Sequence, residues 1–244
     1  MDKQVIKEKL LSIYFREMHA PSLLSIFINP FFFARRGLYK HVKDIAPQIT
    51  GKTLDVGCGS KPYQSLYGSS EYIGLEYDTP ENRSIKNADF FYDGTLFPFD
   101  NSSFDSVVLN QVFEHVFNPD NFLDEVLRIL KKDGKLFLTI PFVWDEHEQP
   151  VDYARYSSFG IKSILEKHGF EILEQRKSVQ DVRVIFQLLN LYIFKKLVTN
   201  NGLLNQLMIL LLISPLNILG SLLNLLLPSN VDLYLDNIVL ARKK

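Results

Sequence analysis

The stretch LDVGCGSKPY (54–63) carries the residue types most suited to binding a small ligand. Gly57 and Gly59 lack a Cβ, so the backbone there can approach a ligand closely. Glu76 follows Gly57 by 19 residues, at the end of the next apolar run. A carboxylate at that spacing can accept hydrogen bonds from ribose hydroxyls. The pattern therefore predicts a binding loop for a nucleotide-like ligand.

Two residues of the same stretch argue against a pyrophosphate-containing ligand. Pro62 stands where the dinucleotide fingerprint G-x-G-x-x-G has its third glycine, and proline offers no backbone N–H to a phosphate. Asp55 lies at the entrance of the loop and would repel a pyrophosphate, but it could orient or balance a cationic ligand. Both features weigh against one possible function of such a loop, that of a nicotinamide-dependent oxidoreductase.

The elements that must position this loop alternate between strands and helices. We predict strands at 53–57, 72–78, 88–93, 104–110, 135–142, 171–179 and 233–243, and helices within 1–50 and at 118–134 and 157–170. This order favours an α/β fold, a Rossmann-like doubly wound sheet with helices on both faces. The last strand follows no ordinary crossover helix, so we expect it to be antiparallel. Ligands of such sheets bind beyond the carboxyl ends of the strands.

Four segments in this order resemble the successive motifs of class I S-adenosylmethionine-dependent methyltransferases, of the type 11-like branch. They are LDVGCGSKPY, YIGLEYD, DGTLFPFDNSSFDSVVLNQVFEHV and LRILKKDGKLFLTIPF, and the resemblance covers about residues 50–180. It implies S-adenosyl-L-methionine as cofactor. The cofactor-binding residues that it implies are Asp55, Gly57, Cys58, Gly59, Glu76, Tyr77, Asp93, Gly94, Asn110 and Gln111.

The implied roles follow the parts of the cofactor. Gly57, Gly59 and Asp55 would lie near its methionine part, with Asn110 and Gln111 lining the same side. Glu76 would hold the ribose diol, Tyr77 would lie against the adenine, and Asp93 and Gly94 would flank the adenine edge. Simpler interpretations remain open: Asp55 could cap a helix, Tyr77 could be a core residue, and Cys58 is interpreted as a small packing residue rather than a nucleophile.

Transfer of a methyl group to a hydroxyl benefits from a general base. The candidates are Glu114 and His115, after the fourth strand, and His147, after the fifth. We prefer His147 because histidine titrates near neutral pH; the alternative is a histidine on a surface loop. Some relatives bind a metal through a Glu-x-x-Glu-His box, but Gln111 replaces the first carboxylate here, so we predict no metal.

The run that follows His147 is rich in aromatic and charged residues, and we expect it to face the acceptor. The candidate substrate-binding residues are Trp144, Tyr153, Arg155 and Tyr156. Arg155 could meet a carboxylate or phosphate of the substrate. Its alternative is a salt bridge to Asp152 or Glu148.

A long apolar insertion separates the sixth strand from the last one. Residues 197–231 contain no Asp, Glu, Lys or Arg. We favour an in-plane or re-entrant helical hairpin, with its two legs split at Pro215 and with Lys195 and Lys196 at its entry, that docks on one membrane leaflet. A dimer interface or a lid over the acceptor pocket is the alternative, and a true membrane span is the least favoured. Residues 1–50 could likewise be a packing helix, a lid or a membrane-facing segment.

Composition narrows the function further. The formal net charge is −1, which gives no argument for nucleic acid as a partner, and a single cysteine, Cys58, excludes a disulfide within the chain.

We expect three parts: 1–50, a methyltransferase core of 51–181 plus 231–244, and the insertion 182–230. The expected function is O-methylation of an amphipathic or lipid-linked acceptor at the inner face of a membrane. The alternatives are a soluble small-molecule methyltransferase, with the insertion as a dimer interface or lid, and a non-catalytic membrane adaptor.

Overall fold

A computed structural model describes residues 3–244. The strands are β1 (Thr50–Val56), β2 (Gly68–Tyr77), β3 (Phe90–Tyr92), β4 (Phe104–Asn110), β5 (Leu130–Pro141), β6 (Phe170–Lys177) and β7 (Asp236–Lys243). The helices are α1 (Lys3–His19), α2 (Phe32–Ile45), α3 (Pro80–Ile85), α4 (Pro119–Ile129), α5 (Ser158–Lys167), α6 (Arg183–Leu197), α7 (Gly202–Met208) and α8 (Ser214–Leu226). Short 3₁₀ turns lie at Leu23–Phe27, Ala46–Gln48, Gln64–Leu66 and Phe113–His115.

The seven strands form one sheet in the order β3-β2-β1-β4-β5-β7-β6. The pairs from β3 to β5 are parallel, whereas β7 is antiparallel to both β5 and β6. The chain reverses its direction of strand addition between β1 and β4, which is where ligands bind in sheets of this kind. The predicted fold class, a Rossmann-like sheet with an antiparallel last strand and an apolar helical insertion before it, is confirmed.

Helix α4 shows how the pattern of apolar residues sets an element and how tertiary pairing sets its end. Phe122, Val126 and Ile129 lie on one buried face, and the Asn118 side chain caps the first turn. The sequence predicts a helix that continues to Gly134, and this is wrong, because the chain leaves the helix after Ile129. Leu130 already pairs with Phe104 of β4, and the register shift before Lys135 absorbs the intervening residues as an irregularity in β5.

By internal contacts the chain separates into two compact units. The sheet unit comprises His41–Lys177 and Asp236–Lys244, and the other unit comprises the residues up to Lys40 together with Ser178–Leu235. The N-terminal segment and the insertion, which the sequence analysis treats as separate parts, therefore lie in the same unit, called here the helical unit. Its base is closed by a hydrogen bond from the Leu235 N–H to the Ser178 carbonyl oxygen at 3.1 Å.

The insertion is a helical hairpin, but its turn is not at Pro215 as predicted. Helices α7 and α8 run on from each other through a π-helical turn, Ile209–Ile213, so that Gly202–Leu226 is one helix. The Ser214 N–H bonds the Ile209 carbonyl five residues back. Pro215 directly follows this π turn, in the first turn of α8. The legs of the hairpin are α6 and this long helix, and its turn lies at 198–201.

Candidate active site

The carboxyl ends of β1, β2, β4 and β5 meet at one edge of the sheet because these strands run parallel. The loop after β1 begins with Gly57, whose φ is +68°. A Cβ there would also lie 2.5 Å from a methyl carbon of Val112, in the turn after β4. Glycine is needed at this position both for its backbone conformation and for the close packing of the two loops.

Gly59 leaves open space beside the loop. Its φ is +52°, and a Cβ built there meets no described atom within 4 Å. Its N–H donates to Oε1 of Glu76, at 2.6 Å. The Glu76 side chain, at the end of β2, is 6% exposed. One bond to the loop fixes the carboxylate and leaves lone pairs for further donors, which suits a diol ligand at this position.

Asp55 is buried near the end of β1. Its Oδ2 accepts a hydrogen bond from the Tyr72 hydroxyl at 2.6 Å, whereas its Oδ1 is buried without a hydrogen-bond partner. Burial raises the pKa of the Asp55 carboxyl to about 7. An oxygen without a partner in such a place is costly unless a ligand donates to it or balances its charge. The site therefore fits a cationic ligand, as predicted from the sequence.

Replacing Asp55 with asparagine is expected to flatten the pH dependence of stability. The folded pKa lies above the unfolded value, so between about pH 4 and pH 7 the native state binds more protons and loses stability as the pH rises. The free energy of unfolding of the wild type should fall, relative to Asp55→Asn, by up to about 1.4 kcal/mol per pH unit in that window. Urea unfolding of the ligand-free proteins measures this difference, with the exposed Asp100→Asn as control. Parallel profiles of wild type and Asp55→Asn would contradict it.

The predicted adenine side is formed by residues at the end of β2 and just after β3. Tyr77 is 52% exposed, and its ring stands edge-on to Tyr92 at 6.2 Å. Gly94, with φ +89°, lies so close to the Tyr77 ring that a Cβ would be 2.8 Å from it. Asp93 accepts hydrogen bonds from the N–H and hydroxyl of Thr95, which lower the pKa of its exposed carboxyl. The exposed Tyr77 ring can stack on a base, and the neighbouring Asp93 carboxylate can accept a hydrogen bond from the amino group of that base.

Two amides at the end of β4 have separate partners. Asn110 donates to the Tyr67 hydroxyl at 2.9 Å, and its own Oδ1 is buried without a partner. Gln111, at φ +57°, donates from its backbone N–H and its side chain to the Thr139 hydroxyl of β5. Cys58 is buried, and burial raises the pKa of its thiol to about 12, so the thiol stays protonated. The contacts of Asn110, Gln111 and Cys58 with a cofactor remain predictions.

The candidate bases come together from two loops. Glu114 and His115 belong to the 3₁₀ turn after β4, and His147 belongs to the loop after β5. The two imidazole rings lie 4.8 Å apart, and Nε2 of each is 3.9 Å from Oε1 of Glu114. The backbone N–H of Tyr153 donates to the Glu114 carbonyl oxygen at 2.9 Å, which ties the second loop to the first.

Glu114 is fully buried, and neither of its carboxylate oxygens has a hydrogen-bond partner. Burial raises the pKa of this carboxyl to about 8. At neutral pH the group is therefore largely protonated and can donate to a neighbouring acceptor. A strongly shifted carboxyl that faces two imidazoles is typical of a functional site.

Asp152 and Arg155 hold His147 from the other side. The Asp152 Oδ2 accepts from the His147 backbone N–H at 2.9 Å and lies 3.2 Å from its Nδ1. Arg155 donates to both oxygens of Asp152, at 2.6 and 2.7 Å, and these bonds lower the pKa of Asp152 to about 2. Arg155 thus forms the salt bridge that the sequence analysis left as its alternative. Its role in binding substrate remains a prediction.

The aromatic candidates lie at different depths around this cluster. Tyr153 is 47% exposed and stands edge-on to Phe117. Tyr156 stacks on buried Phe113, with ring centroids 5.6 Å apart, and packs against the core. Trp144 is partly buried in the loop after β5. Tyr153 is therefore the one of these three whose ring is largely exposed to a possible acceptor.

The arrangement could act in two ways. His147 could accept a proton through Nε2 while Asp152 orients its Nδ1 side. Alternatively, Glu114, His115 and His147 could hold a cation, since their ligand atoms all lie within 4.8 Å of one another. Nδ1 of His115 lies 2.7 Å from the Val151 carbonyl oxygen, which would leave its Nε2 for such an ion. The sequence analysis predicts no metal, and that expectation remains a prediction.

Sequence reasoning missed three partners of the predicted site residues. Tyr72 bonds Asp55, Thr139 holds Gln111, and Asp152 orients His147. A polar residue within an apolar strand was the available signal for Thr139, which is fully buried in β5. The partners of Asp55 and His147 depend on pairing across strands and on loop geometry, which spacing in the sequence does not give.

Comparisons with known proteins agree with this geometry. Residues 54–138 match the family model described as a methyltransferase domain. Over 108 residues the chain is 31% identical to the mitochondrial ubiquinone biosynthesis O-methyltransferase of Dictyostelium discoideum, a match that covers 35% of this chain and 34% of that protein. The match thus spans about a third of the length of this relative.

Two solved structures share the fold at low sequence identity. An S-adenosylmethionine-dependent methyltransferase of Mesorhizobium loti aligns with a TM-score of 0.53 and 12% identity, over 86% of this chain and 100% of that one. Phosphoethanolamine N-methyltransferase 2 of Haemonchus contortus, in complex with S-adenosyl-L-methionine, aligns with a TM-score of 0.53 and 19% identity, over 94% of this chain and 59% of that one. These structures support the fold, and the domain match supports the family. Residues 54–138 therefore match a methyltransferase domain, and the chain has the Rossmann-like fold that these methyltransferase structures share.

Proposed function

We propose that the protein transfers the methyl group of S-adenosylmethionine to a hydroxyl oxygen of an amphipathic or lipid-linked acceptor, at the inner face of a membrane. A glycolipid, a polyprenyl-linked sugar and a quinone-like ring all belong to this class. The observation that carries the proposal is the oriented histidine at the carboxyl edge: His147 is held by Asp152 and faces buried Glu114. The similarity to a ubiquinone biosynthesis O-methyltransferase favours a quinone-like ring among the three.

The binding loop fits the cofactor. The sulfonium of S-adenosylmethionine supplies an activated methyl group and a good leaving group. Asp55, with one oxygen lacking a partner, can balance the positive charge, and Glu76 can accept from both ribose hydroxyls. The exposed ring of Tyr77 can stack on the adenine. These residues hold the cofactor and orient it, and alignment of the acceptor behind the methyl group supplies much of the rate.

His147 is proposed to accept the proton of the acceptor hydroxyl at Nε2. Asp152 is ionised, because Arg155 lowers the pKa of its carboxyl, and it stabilises the imidazolium that forms. Glu114 is proposed to remain protonated while the acceptor binds, since burial raises the pKa of its carboxyl to about 8. A neutral Glu114 avoids a second negative charge beside the hydroxyl that must lose its proton. The exposed ring of Tyr153 is proposed to contact the acceptor.

A labelling experiment tests the acceptor class. The purified protein is incubated with S-adenosylmethionine labelled in the methyl group and, separately, with a hydroxylated prenyl quinol, a glycolipid, a polyprenyl-linked sugar and a water-soluble catechol. Label is expected in the extracted prenyl quinol, as an alkali-stable ether. Efficient labelling of the soluble catechol alone would favour the soluble small-molecule enzyme. Absence of label in all four, from a protein that binds S-adenosylmethionine, would contradict the proposed acceptor class.

A further inference from the structure

The long helix Gly202–Leu226 has its polar and apolar faces reversed. Among the residues that the structure describes, this is the helix long and apolar enough to cross a membrane by length and composition, and only 28% of its most apolar window is buried. A helix on the surface of a water-soluble protein normally turns a charged face outward. Here the exposed positions are apolar: Leu203, Leu204, Leu207, Leu210, Leu211, Leu212, Ile218, Leu219, Leu222, Leu225 and Leu226.

Two polar side chains of the same helix form hydrogen bonds with other segments of the helical unit. Asn217 is fully buried, accepts from the Asn190 side chain of α6 at 2.8 Å and donates to the Ile26 carbonyl oxygen at 3.0 Å. Gln206 donates to the Phe27 carbonyl oxygen at 2.8 Å. These bonds satisfy the Asn217 amide and the Gln206 amide N–H without water, as an apolar medium outside the helix would require.

The neighbouring helix shows the same pattern. Gln187 of α6 is fully buried, accepts from the N–H groups of Phe33 and Ala34 and donates to the Pro30 carbonyl oxygen. The outward residues of α6, which are Ile185, Leu189 and Tyr192, are exposed. These residues and the outward apolar residues of Gly202–Leu226 are called here the leucine face of the hairpin.

The charge of the helical unit distinguishes between two possible partners of the leucine face, a second copy of the chain and an anionic membrane. Residues 1–40 and 178–235 carry ten Lys and Arg against five Asp and Glu, whereas the rest of the chain carries 17 against 23. The helical unit therefore has a formal net charge of +5 within a protein of net charge −1. Lys195 and Lys196 are exposed in the last turn of α6. A second copy of the same positive unit would be repelled, while anionic headgroups would be attracted.

The lengths of the two legs exclude a crossing of the bilayer. Helix α6 lies antiparallel to the long helix, since Gly220 packs on Phe186 and Asn217 bonds Asn190. If the long helix crossed the membrane, α6 beside it would have to cross as well. With 15 residues α6 is about 22 Å long, whereas the hydrocarbon core is about 30 Å thick. The hairpin can therefore enter only one leaflet.

We propose that the helical unit is a membrane-docking module that buries the leucine face of its hairpin in a single leaflet rich in anionic phospholipid. This deepens, and rests on, the membrane location in the proposed function. The module is joined to the sheet unit through the chain at 40–41, 177–178 and 235–236, so docking would keep the methyltransferase at the surface where an amphipathic acceptor resides. The leucines of the face would pack against the acyl chains of the lipid, and Lys195 and Lys196 would bind its phosphate groups.

Flotation of the full-length protein with vesicles tests this proposal. Vesicles of phosphatidylcholine alone are compared with vesicles that also contain phosphatidylglycerol, without cofactor or acceptor. The wild type is expected to float with the anionic vesicles. Leu211→Glu with Leu222→Glu, on one side of the helix, should weaken binding more than a hundredfold. Lys195→Ala with Lys196→Ala should weaken binding to the anionic vesicles about thirtyfold and remove the preference for them.

The control variant places the same charges on exposed apolar residues of the sheet unit, Ile85→Glu with Leu173→Glu, and it should float like the wild type. Calorimetry with S-adenosylmethionine on every variant shows that each is folded and tests the methyltransferase site separately. A wild type that binds the cofactor but floats with neither vesicle overturns the docking proposal and the membrane location, and leaves the methyltransferase site in place. A dimer in solution that Leu211→Glu with Leu222→Glu dissociates, with no flotation, would instead identify a second copy as the occupant. Equal flotation with both vesicle types would overturn the anionic preference.

Discussion

Replacing Glu76 with alanine is expected to weaken S-adenosylmethionine binding at least about a hundredfold. The Glu76 carboxylate is 6% exposed and is fixed by the Gly59 N–H, so it is in place before a ligand arrives. Two ribose hydroxyls that donate to one carboxylate form charge-assisted hydrogen bonds, each worth about 1.5–3 kcal/mol. Loss of both bonds, together with loss of the anchor of the Gly59 loop, accounts for the expected effect.

Titration calorimetry with S-adenosylmethionine and S-adenosylhomocysteine measures this change. Glu81→Ala is the matched control, because Glu81 is exposed on α3, five residues away. Glu76→Ala should weaken both ligands equally, since both carry the same ribose. Asp55→Asn should weaken S-adenosylmethionine more than S-adenosylhomocysteine, since only the former carries the sulfonium charge that Asp55 is proposed to balance. Unchanged affinity in Glu76→Ala would place the ribose elsewhere.

The second large effect is expected at His147. His147→Gln should lower kcat for methyl transfer by about 10²–10⁴-fold, the usual contribution of a general base. The affinity for S-adenosylmethionine should stay unchanged, because the side chain is proposed to contact the acceptor rather than the cofactor. Initial rates with the acceptor identified by labelling, measured from pH 6 to pH 9, test this prediction.

Further variants and a chelator distinguish a general base from a metal ligand. Asp152→Asn should lower kcat by less than His147→Gln, because it disturbs the orientation of the imidazole and leaves the base in place. Treatment with a chelator should leave the rate unchanged. If chelation abolishes transfer, added Mg²⁺ or Zn²⁺ restores it, and His115→Ala is as damaging as His147→Ala, then Glu114, His115 and His147 hold a cation and the proposed base is wrong. An unchanged kcat in His147→Gln would contradict both roles.

The sequence by itself determined the parts of this protein that depend on local pattern. Period and spacing placed β1, β2, β4 and their loops, because apolar strands that end in Gly57 or Asn110 carry their signal within a few residues. The antiparallel β7 followed from the absence of an ordinary crossover helix before it. The resemblance to methyltransferases followed from four motifs in order, and the methyltransferase-domain match over 54–138 agrees with it. The apolar character of the insertion was equally clear from the sequence, because residues 197–231 contain no charged residue.

Only the tertiary structure decided which distant residues meet. His147 lies more than thirty residues after Glu114, and their approach depends on where the loop after β5 folds back. That same turn places His147 between Glu114 and the Asp152–Arg155 pair. The end of α4 at Ile129 was set by pairing of Leu130 in the sheet, which overrides a helical pattern. Pro215 was absorbed by a π turn, so the same sequence folds as one helix rather than two. Local signals specify elements, but contacts between elements decide their ends and bring the candidate site together.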